Sequence, residues 1–359
     1  MATLFINTAK IIENIEKLNV FLSAKGIEWT LVTKVLNGNK PALEKILTHP
    51  AMNGVHSIAD SRISNLKAIR EINPDIPTIY IKPPAVNQAK NVVKYANASL
   101  NSSYETIAEL DKEAGLVGKT HGVIVMIEMG ELREGIVREN ILNFYEKIFQ
   151  LKNIHVKGIG TNLGCMYGVE PTYDKLIQIS LYKQLIEKTF NVKLETISSG
   201  SSITLPLVGM NKIPKGVTHF RIGEAAFMGI SPYDNKKFRN LSNNAFTFAA
   251  EIVEIEKKEV VPDGTINDAA IGETADFTAI NYNESYRAIV DFGELDADYR
   301  SLTLKDSKVG FLGTTSDMTV YDLGQKSHKY KVGDQLHFTP SYMAIARLTN
   351  SKYITKTVV

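Results

Sequence analysis

The sequence predicts an α/β fold: a TIM-type (β/α)8 barrel followed by a C-terminal all-β domain. Three observations lead there. Short apolar strand candidates alternate with amphipathic helical segments eight times in the first two-thirds of the chain. No G-x-G-x-x-G opens the first helix, which argues against a doubly wound open sheet. After about Pro232 the alternation stops, and short strands separated by turns take over.

In chain order, residues 1–22 come first, with helical periodicity in Ile11, Ile15, Leu18 and Leu22. Glu13 and Glu16 and the lack of a cleavage site set this segment apart from a signal peptide or anchor. The strand candidates are Trp29–Val35, Gly54–Ile58, Thr78–Ile81, Ala98–Asn101, Val123–Glu128, Val156–Thr161, Leu194–Ser198 and His219–Ile222. Between them, Ser61–Ile72, Tyr104–Ala114, Glu139–Leu151 and Tyr173–Phe190 read as amphipathic helices, and the spacing suits right-handed crossovers. Ser231–Asn244, with Pro232, Asp234, Asn235, Asn243 and Asn244, is the expected boundary, giving a barrel over 1–238 and a β domain over 239–359. In the latter, Ala245–Ile255, Arg287–Phe292, Val309–Leu312, Thr319–Leu323, Gln335–Thr339 and Ala344–Leu348 read as strands.

Composition narrows the function classes. The 359 residues carry a net charge of +2 with no basic run or aromatic stripe, which argues against nucleic acid as a partner. No apolar run reaches the roughly 18 residues of a spanning helix, so no membrane partner is expected. The single cysteine, Cys165, excludes an intrachain disulfide and fits a cytoplasmic protein.

Catalytic groups of such barrels gather at the C-terminal ends of the strands. Lys34 ends the first strand candidate, and a lysine there can form a Schiff base with a carbonyl compound once partial desolvation frees its amine. After the fifth strand, Glu128-Met129-Gly130-Glu131-Leu132-Arg133-Glu134-Gly135 offers Arg133 either as a fork for a carboxylate or as a partner of Glu131 or Glu134. The sixth strand leads into Thr161-Asn162-Leu163-Gly164-Cys165. The seventh leads into Ser199-Gly200-Ser201-Ser202, and the eighth into Arg221-Ile222-Gly223-Glu224. Small donors on the loops after strands seven and eight suit a phosphate. Together with Lys34 they point to a phosphorylated aldehyde cofactor.

These segments, taken in order, resemble the alanine racemase-like (fold type III) pyridoxal phosphate enzymes, and within them the ornithine racemase branch. The resemblance extends through Ala245-Phe246-Thr247, Ala250-Glu251-Ile252, Val261-Pro262-Asp263-Gly264, Ser316-Asp317 and Tyr342. It implies pyridoxal 5'-phosphate bound covalently as a Schiff base to Lys34, with that lysine also transferring a proton. Arg221 would face the pyridine nitrogen. Asn162, Ser201, Ser202, Gly223 and Tyr342 would contact the cofactor, and Arg133 the substrate carboxylate. Ser316 and Asp317 fall where the family's β domain reaches a neighbouring subunit, implying a head-to-tail homodimer.

Departures from the pattern matter too. The stretch Phe292-Gly293-Glu294-Leu295-Asp296-Ala297-Asp298 lacks the tyrosine that serves alanine racemases as the second base. Asp296, Glu294 and Cys165 are the candidates to replace it, with Cys165 equally readable as a packed small residue. Asn162 stands where alanine racemases carry histidine. The carboxylates Glu294, Asp296 and Asp317 suit the distal ammonium of ornithine or lysine, so the expected activity is interconversion of the L- and D-forms of a basic amino acid. The alternatives are an alanine- or serine-type racemase, a non-catalytic carrier of the cofactor, and a lyase or aldolase of the same barrel type. The last generally needs a metal, and the histidines show no close-spaced pair to bind one.

Overall fold

The computed structural model describes residues 1–265, 282–326 and 329–359. The chain divides into two compact units, Ala9–Asn243 and a second formed by Met1–Thr8 with Asn244–Val359. The first eight residues therefore group with the C-terminal part of the chain rather than with the barrel.

In the larger unit, α1 (Thr8–Ser23) leads into eight parallel strands: β2 (Glu28–Val32), β3 (Ser57–Asp60), β4 (Thr78–Tyr80), β5 (Ala98–Asn101), β6 (His121–Met126), β7 (Ile154–Gly160), β8 (Thr196–Ser201) and β9 (His219–Ile222). They close into a barrel as β9 pairs with β2, setting Trp29 opposite Phe220. The expected periodicity of α1 is realised, since Ile11, Ile15, Leu18 and Leu22 are all buried. The connecting helices are α2 (Lys40–Leu47), α3 (Ile63–Ile72), α4 (Ala89–Tyr95), α5 (Tyr104–Leu116), α6 (Ile141–Ile148), α7 (Tyr173–Phe190), α8 (Leu205–Gly209) and α9 (Glu224–Met228). A contiguous cluster of Val32, Ala59, Ile79, Ala98, Leu100, Ile124 and Met126 fills the space between β2 and β6. A short hairpin, β10 (Ile230–Ser231) with β11 (Lys236–Lys237), precedes the boundary.

Two of the differences between expected and observed barrel strands have a local cause. The first strand stops at Val32, and Lys34 begins a 3-10 turn over Lys34–Leu36. The second strand starts at Ser57 rather than Gly54, because Pro50 opens a 3-10 turn over Pro50–Gly54. Proline fixes φ near the helical value and lacks an N–H, so it starts such a turn readily.

The other unit is an antiparallel sheet of β12 (Phe246–Glu259), β13 (Glu284–Val290), β14 (Leu302–Leu304), β15 (Gly310–Thr314), β16 (Thr319–Gly324) and β17 (Gln335–Pro340) in the order β14-β17-β12-β13-β16-β15. The N-terminal β1 (Thr3–Ile6) pairs with β12 and runs parallel to β18 (Thr355–Val358). Phe248, Phe292 and Phe338 form the centre of its core, with ring centroids 5.1–5.8 Å apart. Ala344–Leu348, expected as a strand, lies within helix α10 (Tyr342–Asn350). Ser341 Oγ caps it by accepting from Ala344 N at 3.3 Å, and Ala344, Ile345 and Leu348 share its buried face. That i, i+1, i+4 spacing is helical; the apolar density of so short a segment hides it.

Candidate active site

Lys34 is exposed on the turn after β2. Below it, Thr33 Oγ1 donates to Asp60 Oδ2 at 3.0 Å, at the end of β3. Asp60 is fully buried and also accepts from Arg62 N and Asn65 Nδ2 at 3.0 and 3.1 Å. Burial pushes its carboxyl upward, against these donors. Beyond β9, half-buried Glu224 is likewise pushed up by burial, and the Lys34 charge opposes that shift. β9 is the barrel neighbour of β2, which places Lys34 and the Gly223–Glu224 segment on adjacent loops. At Gly223 an added Cβ would come within 3.1 Å of Val32 O, so the two strand ends nearly touch.

Arg221, on β9, is 7 % exposed and held by four hydrogen bonds. Nη1 donates to Ser198 O (2.5 Å) and Ser198 Oγ (2.6 Å); Nη2 donates to Thr161 O (2.8 Å) and Asn162 Oδ1 (2.6 Å). Nε takes part in none of these. Burial lowers the guanidinium to about 10, which leaves it charged at neutral pH. Glu134 favours the charge and Arg133 opposes it.

Asn162 continues the network, its Nδ2 donating to Glu134 Oε1. Glu134 in turn holds Arg133, which donates to it through Nε and, at 2.7 Å, through Nη2. This bond raises the Arg133 pKa above its ordinary value. Of the two expected readings of Arg133, the pairing with Glu134 is therefore present, and the guanidinium remains partly exposed. Its Nη1 points at Cys165 Sγ, 2.6 Å away. Cys165 is exposed, not packed.

The Asn162–Val169 loop is organised by Glu131. This carboxylate, 2 % exposed, accepts the amides of Cys165 (3.0 Å), Met166 (2.8 Å), Tyr167 (3.0 Å) and Val169 (2.8 Å). Burial works against its ionisation, yet the amides prevail and hold its pKa below the ordinary value. Gly135 closes the loop that carries Glu131. Its φ is +144°, and a Cβ there would lie 2.3 Å from Glu128 N.

After β8, Ser202 is buried and its Oγ accepts from Ala225 N at 3.1 Å, tying this loop to the start of α9. Ser201 N bonds Thr204 Oγ1 at 3.2 Å. Hydroxyls of Ser201 and Ser202 beside the Gly223 backbone form a small-donor set able to hold a phosphate monoester. With the Lys34 amine and a buried, charged Arg221, these residues fit a phosphorylated pyridoxal.

In the β unit, Gly293–Asp298 and Thr315–Asp317 lie against each other. Glu294 N donates to Thr315 O (3.0 Å), Leu295 N donates to Ser316 O (3.1 Å), and a Cβ on Gly293 would meet Ser316 O at 2.4 Å. The structure thus gathers Glu294, Ser316 and Asp317 at one corner, where Ser316 Oγ donates to Asp317 Oδ2 at 2.7 Å. Asp296 turns inward: it is 9 % exposed, and Oδ1 accepts from Ser351 Oγ at 2.8 Å. Tyr342 begins α10 and is partly buried.

Lys34, Arg133, Asn162, Cys165, Ser201, Ser202, Arg221 and Gly223 all stand at strand ends or on the following loops of one barrel, as expected from sequence, except that Arg221 lies within β9. Sequence reading missed the structural parts of Glu131, Ser198, His219 and Asp60. An acidic residue between two glycines was the one available sign for Glu131. Nothing local marks Ser198 or His219, whose partners are on other strands.

The family described as alanine racemase, N-terminal domain, matches residues 6–232. Ornithine racemase of Acetoanaerobium sticklandii is 31 % identical over 352 residues, covering 98 % of both chains. Lysine racemase of Thermotoga maritima is 30 % identical over 353 residues, covering 98 % of this chain and 97 % of its own. Among solved structures, alanine racemase of Clostridium difficile 630 superposes with a TM-score of 0.73 at 16 % identity, over 100 % of this chain and 95 % of that one, a likeness of fold. No helix among the described residues is long and apolar enough to cross a membrane. The chain belongs to the alanine racemase family and is an amino-acid racemase.

Proposed function

We propose that this racemase uses pyridoxal 5'-phosphate held covalently on Lys34, acts on a basic amino acid (ornithine or lysine), and works as a cytoplasmic head-to-tail homodimer. The observation that carries the reading is the Arg221 network beside the Lys34 turn. It is a buried donor, charged at neutral pH and locked by four bonds, with small phosphate donors on the neighbouring loops. Full-length likeness to an ornithine and a lysine racemase supports the substrate class. So does the corner holding Glu294 and Asp317, which suits a distal ammonium.

In this reading the cofactor, when bound, draws electron density from the substrate α-carbon and makes its hydrogen acidic. Lys34 Nζ moves that proton on one face. Arg221 keeps its own proton, and its Nε–H, which none of the four bonds uses, would be the donor held for the ring nitrogen; a donor that does not give up its proton would limit charge build-up and favour simple reprotonation over side reactions. Arg133, aimed by Glu134, receives the substrate carboxylate. Cys165 Sγ, exposed and adjacent to Arg133, serves the opposite face, since Asp296 is engaged by Ser351 inside the β unit. Ser316 and Asp317 complete the site of the neighbouring subunit.

The test combines absorbance spectra of the wild-type protein and Lys34→Ala with polarimetry on L-ornithine, L-lysine and L-alanine. A visible cofactor band that is lost in Lys34→Ala, with rotation decaying to zero fastest for a basic substrate, supports the reading. Faster decay with alanine overturns the substrate class. An unchanged band in Lys34→Ala overturns the covalent role of Lys34.

A further inference from the structure

Beneath Arg221 a hydrogen-bonded file of side chains crosses the barrel interior to its N-terminal end. Ser198 Oγ, which accepts Arg221 Nη1–H, lies 2.8 Å from His219 Nδ1. His219 Nε2 is 2.7 Å from Thr30 Oγ1, which is 2.6 Å from Ser57 Oγ; that hydroxyl is 3.0 Å from His56 Nδ1. Ser198, His219, Thr30 and Ser57 are all buried.

The direction of this file follows from its first member. A guanidinium only donates, so Ser198 Oγ accepts from Arg221 and its own hydrogen is free to go to His219 Nδ1. Burial, reinforced by the Arg221 charge, keeps His219 well below its usual pKa and so neutral. With the Ser198 hydrogen directed to Nδ1, the ring hydrogen sits on Nε2 and is donated to Thr30, leaving the Thr30 hydrogen for Ser57 and that of Ser57 for His56 Nδ1.

We propose that His219 is a positioning residue for Arg221: by fixing the Ser198 hydroxyl as an acceptor, it sets the direction in which the guanidinium presents Nε. The inference rests on the cofactor reading above, because Arg221 matters for catalysis only if it faces the ring nitrogen.

Two substitutions separate the ends of the imidazole. An asparagine amide falls near the place of Nδ1, and a glutamine amide near that of Nε2. His219→Asn keeps the Ser198 contact and loses Thr30; His219→Gln does the reverse. The readout is the Kd of the cofactor-stripped protein for pyridoxal 5'-phosphate, by absorbance titration, alongside the melting midpoint. The expected result is a rise in Kd of about tenfold for His219→Gln, the scale of one charge-assisted hydrogen bond, with His219→Asn within about twofold of wild type. Ser198→Ala, which cuts the same link and leaves the histidine intact, is expected to match His219→Gln.

Wild-type affinity in His219→Gln, or in Ser198→Ala where the glutamine variant does not fold, overturns the proposal. Equal loss of affinity in His219→Asn and His219→Gln, tracking the melting midpoint, also overturns it by reducing His219 to a packing residue. A wild-type protein that takes up no cofactor sinks the cofactor reading and this inference together, whereas the preceding outcomes sink only the inference.

Discussion

Asn162 bonds Arg221 through Oδ1 at 2.6 Å while its Nδ2 donates to Glu134, which itself grips Arg133. One neutral amide thus joins two arginines through a single carboxylate, so like charges share a loop cluster without facing each other unscreened. Asn162→Ala removes both bonds of the amide. The expected cost is about 1–2 kcal/mol of stability in denaturant unfolding, since Arg221 keeps its bonds to Ser198 and Thr161. A variant as stable as wild type would show that the amide bridge carries no net stabilisation.

Glu131 sets an acid limit on the loop that carries Cys165. Its folded pKa is depressed, so its contribution is complete above the ordinary glutamate value of about 4.3 and is lost as pH falls through the lower folded value. Glu131→Gln should cost about 2 kcal/mol at pH 7, and the difference from wild type should shrink steadily as the pH falls below 4. Stability curves that stay parallel down to pH 2 would contradict this.

Gly135 should not accept a side chain. Its φ of +144° and the 2.3 Å approach of a Cβ to Glu128 N both oppose alanine. Gly135→Ala is expected to cost at least about 2 kcal/mol and to weaken substrate binding through displacement of Arg133, seen as a higher KM. Unchanged KM and melting midpoint would mean that the loop relaxes freely.

Asp296 and Cys165 should separate by type of effect. Asp296→Asn perturbs a buried bond to Ser351, with an expected loss of about 1 kcal/mol and little change in kcat. Cys165→Ser is expected to lower racemisation by about 10²-fold or more with no change in melting, while α-hydrogen exchange with deuterated solvent persists for one enantiomer only. Exchange lost equally from both enantiomers would remove Cys165 from the second-base role.

The acidic corner should show in KM alone. Glu294→Gln with Asp317→Asn is expected to raise KM for ornithine and lysine several-fold and to leave alanine kinetics untouched, because each exposed pair is worth under about 1 kcal/mol. A matching change for alanine would assign the corner to general structure.

Much of the barrel was legible because its signal is local. Runs such as Val123–Glu128 and amphipathic stretches such as Tyr173–Phe190 name their own periodicity, and the strands fall within a few residues of their expected places. Short apolar segments were less clear. Ala344–Leu348 holds too few residues to tell period 2 from 3.6, and only the cap at Ser341 decides for a helix.

By itself the sequence determined the succession of strands and helices in the barrel and the placement of the residues from Lys34 to Gly223 at or near strand ends. Those depend on near neighbours along the chain. The tertiary structure alone decided which residues are partners. It recruited residues 1–8 to the C-terminal sheet, turned Asp296 inward to Ser351, and gave Glu131 four amides from a loop more than thirty positions away. It also ran the file from Arg221 through Ser198 and His219 to Thr30. Hydrogen bonds between strands depend on barrel closure and register, which bring together residues far apart in the chain, and no local pattern encodes that geometry.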